Sequence, residues 1–140
     1  MRDIKFRGKS IEDGSWVYGD LETRPAQEIM VIHQYNDDGT YKGQVKVEQD
    51  SVGQFTGLND NFGNEIYDGD ILRVPGNDCY NELVGVAEFE RGAFLVRSIN
   101  SGSVSDLAWC VRDRMLGCPK AAIIGNVSDN PEMLGGRDVR

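Results

Sequence analysis

The chain has 140 residues, of which 39% are hydrophobic and 27% are charged, a balance that is typical of one globular domain and excludes a disordered chain. Fifteen lysines and arginines against 23 aspartates and glutamates give a net charge of −8, which disfavours a protein that binds nucleic-acid phosphates through its overall field. Only one histidine, His33, is present and the three cysteines have no CxxC spacing, so a two-imidazole mechanism and a zinc knuckle are excluded.

Short β-branched or aromatic runs separated by glycine-containing turns predict many short strands. In the first half of the chain, strands are predicted at residues 4–8, 16–21, 29–34 and 41–48, with turns at 12–14 and 36–39. In the second half, strands are predicted at residues 65–74, 83–90, 93–98 and 121–127, with an extended run at 54–58, a bend at 68–70 and a turn at 91–92.

Helical signals are confined to the last third of the chain. Leu107, Val111 and Met115 recur at four-residue spacing between a capping pair at 105–106 and a helix-ending stretch at 117–119, which predicts one short helix. Asn130-Pro131 predicts a single helical turn over residues 131–134. The sequence therefore predicts a mainly β, β-rich α+β fold, with one domain over residues 1–134 and a flexible tail over 135–140.

The most distinctive stretch is VGQFTGL at residues 52–58, followed by NDNFGN at 59–64 and EIYDGDIL at 65–72. Together with IKFRG at 4–8, WVYGDL at 16–21, and IIGNV at 123–127 before NPEML at 130–134, it resembles the YopX family, which is encoded mainly by bacteriophages and prophages. The resemblance covers nearly the whole chain. It implies a small β-rich fold built as an SH3-type roll or barrel with additional hairpins. It brings no established activity and no catalytic residue.

One contact surface is predicted around residue 62. Phe62 lies at a predicted turn tip among asparagines, where local burial is difficult. We therefore expect Phe62, together with Tyr67, to belong to a contact surface. The carboxylates of the same predicted surface are Asp60, Glu65, Asp68 and Asp70. The alternative is that these carboxylates cap turns and that the aromatic side chains fill the core.

No metal site, other cofactor or catalytic set is predicted. No register of residues 59–70 fits an EF-hand loop, and two carboxylates beside a bend, such as Asp68 and Asp70, more often cap turns than hold a cation. A nucleophile from Cys79, Cys110 or Cys118 would need His33, which the apolar strand around it indicates to be a sheet residue with a satisfied ring nitrogen. No GxSxG, Walker or GxGxxG motif is present, so an enzyme is not expected, although paired carboxylates for glycoside chemistry stay open.

Three functional hypotheses follow. The first is a non-catalytic interaction module that binds an unidentified host or phage protein, or its own copies, through β surfaces and short edge strands. The second is an acidic decoy for a nucleic-acid-binding protein, because residues 11–90 hold seventeen acidic and four basic side chains. The third is direct nucleic-acid binding, which the net charge disfavours, through a local basic face formed by Arg2, Lys5, Arg7, Lys9, Arg91, Arg97, Arg112 and Arg114.

The compartment is expected to be the cytoplasm of a bacterial host. No apolar run approaches the roughly 20 residues that span a bilayer, and none follows the basic N-terminus as in a secretory signal. An odd number of widely spaced cysteines is typical of thiols in a reducing compartment.

Overall fold

The computed structural model describes residues 3–76, 81–111 and 121–135, and these contain eleven strands, one α-helix and three short 3₁₀ segments. The chain divides into two compact units, Met1–Phe55 (unit 1) and Thr56–Arg140 (unit 2). The predicted mainly β class is confirmed. A single domain over residues 1–134 stays a prediction, and residues 136–140 of the expected tail lie outside the described residues.

Unit 1 is built on one antiparallel sheet in the order β4-β3-β2-β1-β5. The strands are β1 (Phe6–Lys9), β2 (Trp16–Arg24), β3 (Ile29–Tyr35), β4 (Tyr41–Val47) and the start of β5 (Gly53–Asn59). The predicted turns are confirmed: the Gly14 N–H donates to the Ser10 carbonyl at 2.9 Å before β2, and the Gly39 N–H donates to the Asn36 carbonyl at 2.9 Å before β4.

One face of this sheet forms the core of unit 1. Val45 and Val47 pack on that face while Gln44 and Lys46 are exposed, as the alternating pattern of β4 predicts. The buried centre consists of Val17, Ile32 and Val47, surrounded by Phe6, Leu21, Met30, Val45 and Val52. Full burial of such a side chain contributes about 1.5–3 kcal/mol, so this face accounts for much of the stability of unit 1.

The sheet of unit 1 curls until its outer strand meets the end of β1. Ser10 pairs with Val47 in an isolated bridge, and the Ile11 N–H donates to the Lys46 carbonyl at 3.0 Å. Gly8 permits this approach, since a Cβ at that position would lie 2.8 Å from the Val47 Cβ. The pairing ends there because the chain turns away after Ile11. Of the expected SH3-type roll or barrel, the structure does not show a closed barrel in the residues it describes, and an SH3-type roll stays a prediction.

Unit 2 contains the end of β5, which pairs with β6, and a five-stranded antiparallel sheet in the order β10-β9-β8-β7-β11. Its strands are β6 (Glu65–Tyr67), β7 (Asp70–Val74), β8 (Leu83–Glu90), β9 (Ala93–Ser98), β10 (Val104–Asp106) and β11 (Ala122–Asn126). The predicted strand at 65–74 is two strands, because Gly69 bends the chain with φ +99°. Strand β10 was not predicted, since three residues show no alternation.

Two local predictions in unit 2 are confirmed. Arg91 and Gly92 both have left-handed backbones, with φ of 52° and 82°, and form the two-residue hairpin turn between β8 and β9. Helix α1 (Leu107–Val111) starts where expected, and the Asp106 carboxylate caps it by accepting the Ala108 N–H at 3.3 Å. The predicted continuation of α1 lies outside the described residues, and the turn at Pro131–Leu134 is a 3₁₀ segment.

The central strands of unit 2 are buried on both faces. One face carries Leu72 and Ala87, in a cluster completed by Ile66, Val96, Leu107 and Cys110. The other face carries Ile71 and Val86, in a cluster completed by Leu134. Helix α1 therefore covers one side of the sheet and the 3₁₀ segment covers the other. In the described ranges, no helix combines the length and the apolar character that crossing a membrane requires.

Candidate contact surfaces

The turn between β5 and β6, residues 60–64, presents the most exposed of the large hydrophobic side chains that the structure describes. Phe62 lies at its tip and is 74% exposed. The turn is closed by two backbone hydrogen bonds, from the Asp60 N–H to the Asn64 carbonyl at 2.8 Å and from the Gly63 N–H to the Asp60 carbonyl at 3.1 Å. Gly63 has φ +82°, a backbone that suits glycine. We call this segment the Phe62 turn.

The Asp60 carboxylate holds the Phe62 turn in place. Its Oδ1 accepts the N–H groups of Phe62 and Asn64, each at 2.9 Å. Its Oδ2 accepts the Ile123 N–H at 3.1 Å and the Asn64 side-chain amide at 3.3 Å. Burial acts to raise the pKa of Asp60, but the N–H donors outweigh it and hold that pKa below its usual range. The turn is thus rigid before any partner binds.

Most of the other residues of the predicted contact surface are not exposed. Tyr67 and Asp70 are each 2% exposed and Asp60 is 7% exposed, so their burial removes these three from the predicted surface. The Asp70 Oδ2 accepts the Tyr67 N–H at 2.7 Å, which confirms turn capping as the role of this carboxylate. Glu65, which accepts the Tyr67 hydroxyl at 3.2 Å, and Asp68 are half-buried. Phe62 is exposed as expected, and its role as a contact residue stays a prediction.

A second surface lies in unit 1, on the face of β2, β3 and β4 opposite the core. Both ring nitrogens of His33 lie within hydrogen-bond distance of a partner: Nε2 is 2.7 Å from the Glu22 Oε1, and Nδ1 is 2.9 Å from the Tyr41 hydroxyl oxygen. The prediction of a sheet histidine with a satisfied ring nitrogen is confirmed. Tyr35 and Tyr41 are about half exposed, and their rings meet edge to face at 5.7 Å. The tyrosine network, as we call it, consists of Glu22, Arg24, His33, Tyr35, Tyr41 and Gln44.

Glu22 is the ionic centre of the tyrosine network. Arg24 donates to both of its carboxylate oxygens, from Nε at 2.7 Å and from Nη2 at 3.1 Å, and also to the Gln44 Oε1 at 3.0 Å. These hydrogen bonds, first from Arg24 and then from His33, lower the pKa of Glu22 to about 2. Glu22 is therefore a carboxylate at neutral pH. Sequence reasoning missed this network because it depends on the register of three strands.

The structure also shows where candidate metal ligands and cysteine nucleophiles lie among the described residues. No three histidine, cysteine, aspartate or glutamate side chains within residues 3–76, 81–111 and 121–135 lie close enough together to bind a metal ion. Cys110 is 4% exposed in the core of unit 2, where it packs against apolar side chains. The other two candidate nucleophiles, Cys79 and Cys118, lie outside the described residues.

Several carboxylates of residues 11–90 form hydrogen bonds or ion pairs within the chain. Asp13 accepts the Ser15 N–H at 3.0 Å, and Asp38 accepts the Thr40 N–H at 2.9 Å, so both cap turns. Arg97, one member of the predicted basic face, is paired with Glu88 at 2.9 Å and also with Glu90. Asp13 and Asp38 keep their negative charge in these turns, whereas Arg97 and its two glutamate partners offset one another locally. Arg112 and Arg114 lie outside the described residues.

Comparisons with known proteins identify a family and a shared fold. The family model described as YopX protein matches residues 5–135. The crystal structure of protein EF1440 from Enterococcus faecalis is similar with a TM-score of 0.58 and 21% identity, covering 96% of this chain and 99% of that one. The crystal structure of protein yopX from Bacillus subtilis is similar with a TM-score of 0.56 and 20% identity, covering 99% of this chain and all of that one. No curated protein matches the chain.

Proposed function

Because this chain belongs to the YopX family, we propose that it is a non-catalytic protein-interaction module of phage or prophage origin. Its partner is a host or phage protein, which it binds through exposed side chains. The absence of a metal-binding cluster from the described residues and the use of their carboxylates in turns support a contact role rather than turnover.

The observation that carries this proposal is the exposed aromatic ring of Phe62 on a turn that is already rigid. A large aromatic side chain that is 74% exposed in the free chain gains about 2–3 kcal/mol when a partner buries it. Because Asp60 fixes the turn, little conformational entropy is lost on binding. Buried aromatic anchors of this kind dominate the energetics of protein interfaces.

A pulldown that compares two exposed phenylalanines tests the proposal. The full chain is immobilised and incubated with a bacterial lysate, in its natural form and as the variants Phe62→Ala and Phe89→Ala. Phe89, 51% exposed on β8 in the same unit, is the matched control. We expect one protein to be retained by the natural chain and by F89A, and its recovery to fall about tenfold with F62A.

Two further measurements decide between outcomes. Light scattering after size exclusion detects self-association, so that a second copy of the chain is recognised as the partner. Retention that is lost at high salt and is unaffected by F62A supports the acidic decoy instead, because a screened electrostatic complex depends on ionic strength. A strictly monomeric chain that retains no protein contradicts the proposed function.

A further inference from the structure

A groove in unit 1 lies where β2 leads into β3 through the 3₁₀ segment Pro25–Gln27. Its volume is about 510 Å³, and it is open to solvent along one side. The lining residues are Thr23, Pro25, Glu28, Ile29, Met30 and Gln49. An open groove of this volume suits an extended peptide better than a small molecule, because small-molecule sites usually enclose most of the ligand surface. We call it the Pro25 groove.

The walls of the Pro25 groove are held in place by hydrogen bonds within unit 1. The Gln49 side-chain amide donates to the Glu28 carbonyl at 2.7 Å and so ties the 49–51 turn to the β2–β3 connection. Thr23 and Met30 are direct cross-strand neighbours in the antiparallel pairing of β2 with β3. The groove is therefore preformed, and its occupant does not have to order it.

Glu28 is the unusual residue of the groove. Its backbone is left-handed, with φ 55° and ψ 37°, a conformation that suits glycine or asparagine and costs other residues about 1 kcal/mol or more. A glutamate here therefore lowers stability and places a carboxylate in the lining of an otherwise half-apolar groove.

The charge of the groove has a single sign. Glu28 is the only charged residue among the six lining residues, and none of the six is a lysine or arginine. Glu48 and Asp50, which flank Gln49 in the chain, are both exposed. Arg24, the nearest cation in sequence to Pro25, donates to Glu22 and Gln44 in the tyrosine network. Apolar contacts at Pro25 and Met30 beside the negative charge of Glu28 disfavour nucleic acid and other anions.

We propose that the Pro25 groove binds a basic, extended segment of a partner protein. One apolar side chain of that segment packs on Pro25 and Met30, and a neighbouring lysine or arginine lies against the Glu28 carboxylate. The inference rests on the proposed function and deepens it, because it names the chemistry of one partner segment. It concerns a surface different from the Phe62 turn and is tested separately from it.

Synthetic peptides with blocked ends, of sequence KLKLK, ELELE and KSKSK, are the probes. Each is titrated into the ¹⁵N-labelled full chain, and amide chemical shifts are recorded. We expect KLKLK to shift the amides of Thr23, Ile29 and Gln49 with a Kd of about 1 mM, and the other two peptides to bind at least about tenfold more weakly. The ELELE peptide lacks the charge match, and KSKSK lacks the apolar side chains.

Three variants separate the groove from general attraction to an acidic protein. Glu28→Lys weakens KLKLK binding about tenfold, whereas the control Glu12→Lys, at an exposed position in the β1–β2 turn, leaves it unchanged. Glu28→Gly raises the melting temperature by releasing the left-handed strain and still weakens binding. A gain in stability with lost binding assigns the side chain to recognition rather than to folding.

The inference is overturned if KLKLK causes no shifts at about 1 mM, a concentration at which weak peptide complexes are populated. It is also overturned if the shifts fall outside the groove, or if E28K and E12K weaken binding equally. Phe62→Ala is expected to leave KLKLK binding unchanged. A chain that binds no KLKLK peptide therefore contradicts the proposed role of the Pro25 groove but not that of Phe62. A pulldown that is insensitive to F62A contradicts the role of Phe62 but not that of the groove.

Discussion

At the residue scale, one buried carboxylate controls the exposed aromatic side chain on which the proposed function depends. Asp60 accepts four N–H donors and faces no cation among them, so its charge is stabilised entirely by amide groups. Three of these donors belong to the turn itself and the fourth, Ile123, lies 63 positions away in the chain. Asp60 therefore joins a local turn to a distant strand.

Removal of this carboxylate is expected to destabilise unit 2. Asp60→Ala leaves the N–H groups of Phe62, Asn64 and Ile123 without their charged acceptor, and we expect the free energy of unfolding to fall by about 3 kcal/mol. Equilibrium unfolding in urea measures it. The control is Asp37→Ala in the exposed turn before β4, with an expected change below about 0.5 kcal/mol. Equal effects of the two substitutions contradict the role given to Asp60.

The same residues show what can be predicted from sequence at this scale. The Asn-Asp-Asn-Phe-Gly-Asn composition predicts the turn and the exposure of Phe62 because both depend on neighbours in the chain. The burial of Tyr67 could not be predicted, since the three-residue strand β6 shows no periodicity from which its buried face can be recognised. The burial of Asp70, the first residue of β7, goes with its hydrogen bond from the Tyr67 N–H across the bend. The tyrosine network was missed for a related reason, because its hydrogen bonds join positions up to 20 residues apart.

At the element scale, glycine turns made several strand positions predictable. The hairpin at Arg91-Gly92 and the turn ending at Gly39 are examples, because their positive φ values are encoded locally. The curl of the sheet in unit 1 was not predictable, since it depends on the contact of Gly8 with Val47, which lie far apart in the chain. Strand order and curvature are set by such distant packing.

A glycine inside a strand tests this view of packing. In β8, a Cβ at Gly85 would lie 2.6 Å from the Arg97 carbonyl oxygen and 2.7 Å from the Val96 Cγ1. We expect Gly85→Ala to push β9 away and to lower the free energy of unfolding by about 2 kcal/mol or more. Chemical unfolding followed by circular dichroism measures the change.

The matched control for Gly85 is Gly92→Asn, in the turn of the same hairpin. Gly92 has open space around the position of a Cβ, and asparagine tolerates its φ of 82°. We expect a loss below about 1 kcal/mol for this variant. The packing argument fails if G85A is as stable as G92N.

At the scale of the whole molecule, folding lowers the pKa values of several carboxyl groups and so changes the pH at which the chain loses its negative charge. The net charge is −8 and the sequence gives an isoelectric point of about 4.6. Hydrogen bonds in the fold lower the pKa values of Asp13, Glu22, Asp38 and Asp60. Each of these groups binds its proton more weakly in the folded chain than in the unfolded chain, so the folded chain stays more negative in acid.

Isoelectric focusing with and without urea tests this effect. We expect the denatured chain to focus near pH 4.6 and the native chain at a lower pH. The contribution of these carboxyls to stability is complete above their unfolded pKa values, 3.8 for aspartate and 4.5 for glutamate. It is lost as the pH falls below those values through the folded ones, toward about 2 for Glu22. A native chain that focuses at or above the denatured one contradicts the predicted shifts.

The return of β4 onto the end of β1 also affects how this chain behaves at high concentration. The carbonyl of Lys46 and the N–H of Glu48 already bond to Ile11 and Lys9, so this end of the outer strand has no vacant backbone positions there. An incoming strand from another molecule cannot pair with these two backbone groups. The row of donors and acceptors that edge-to-edge stacking into fibrils would use is therefore shortened at residues 46–48.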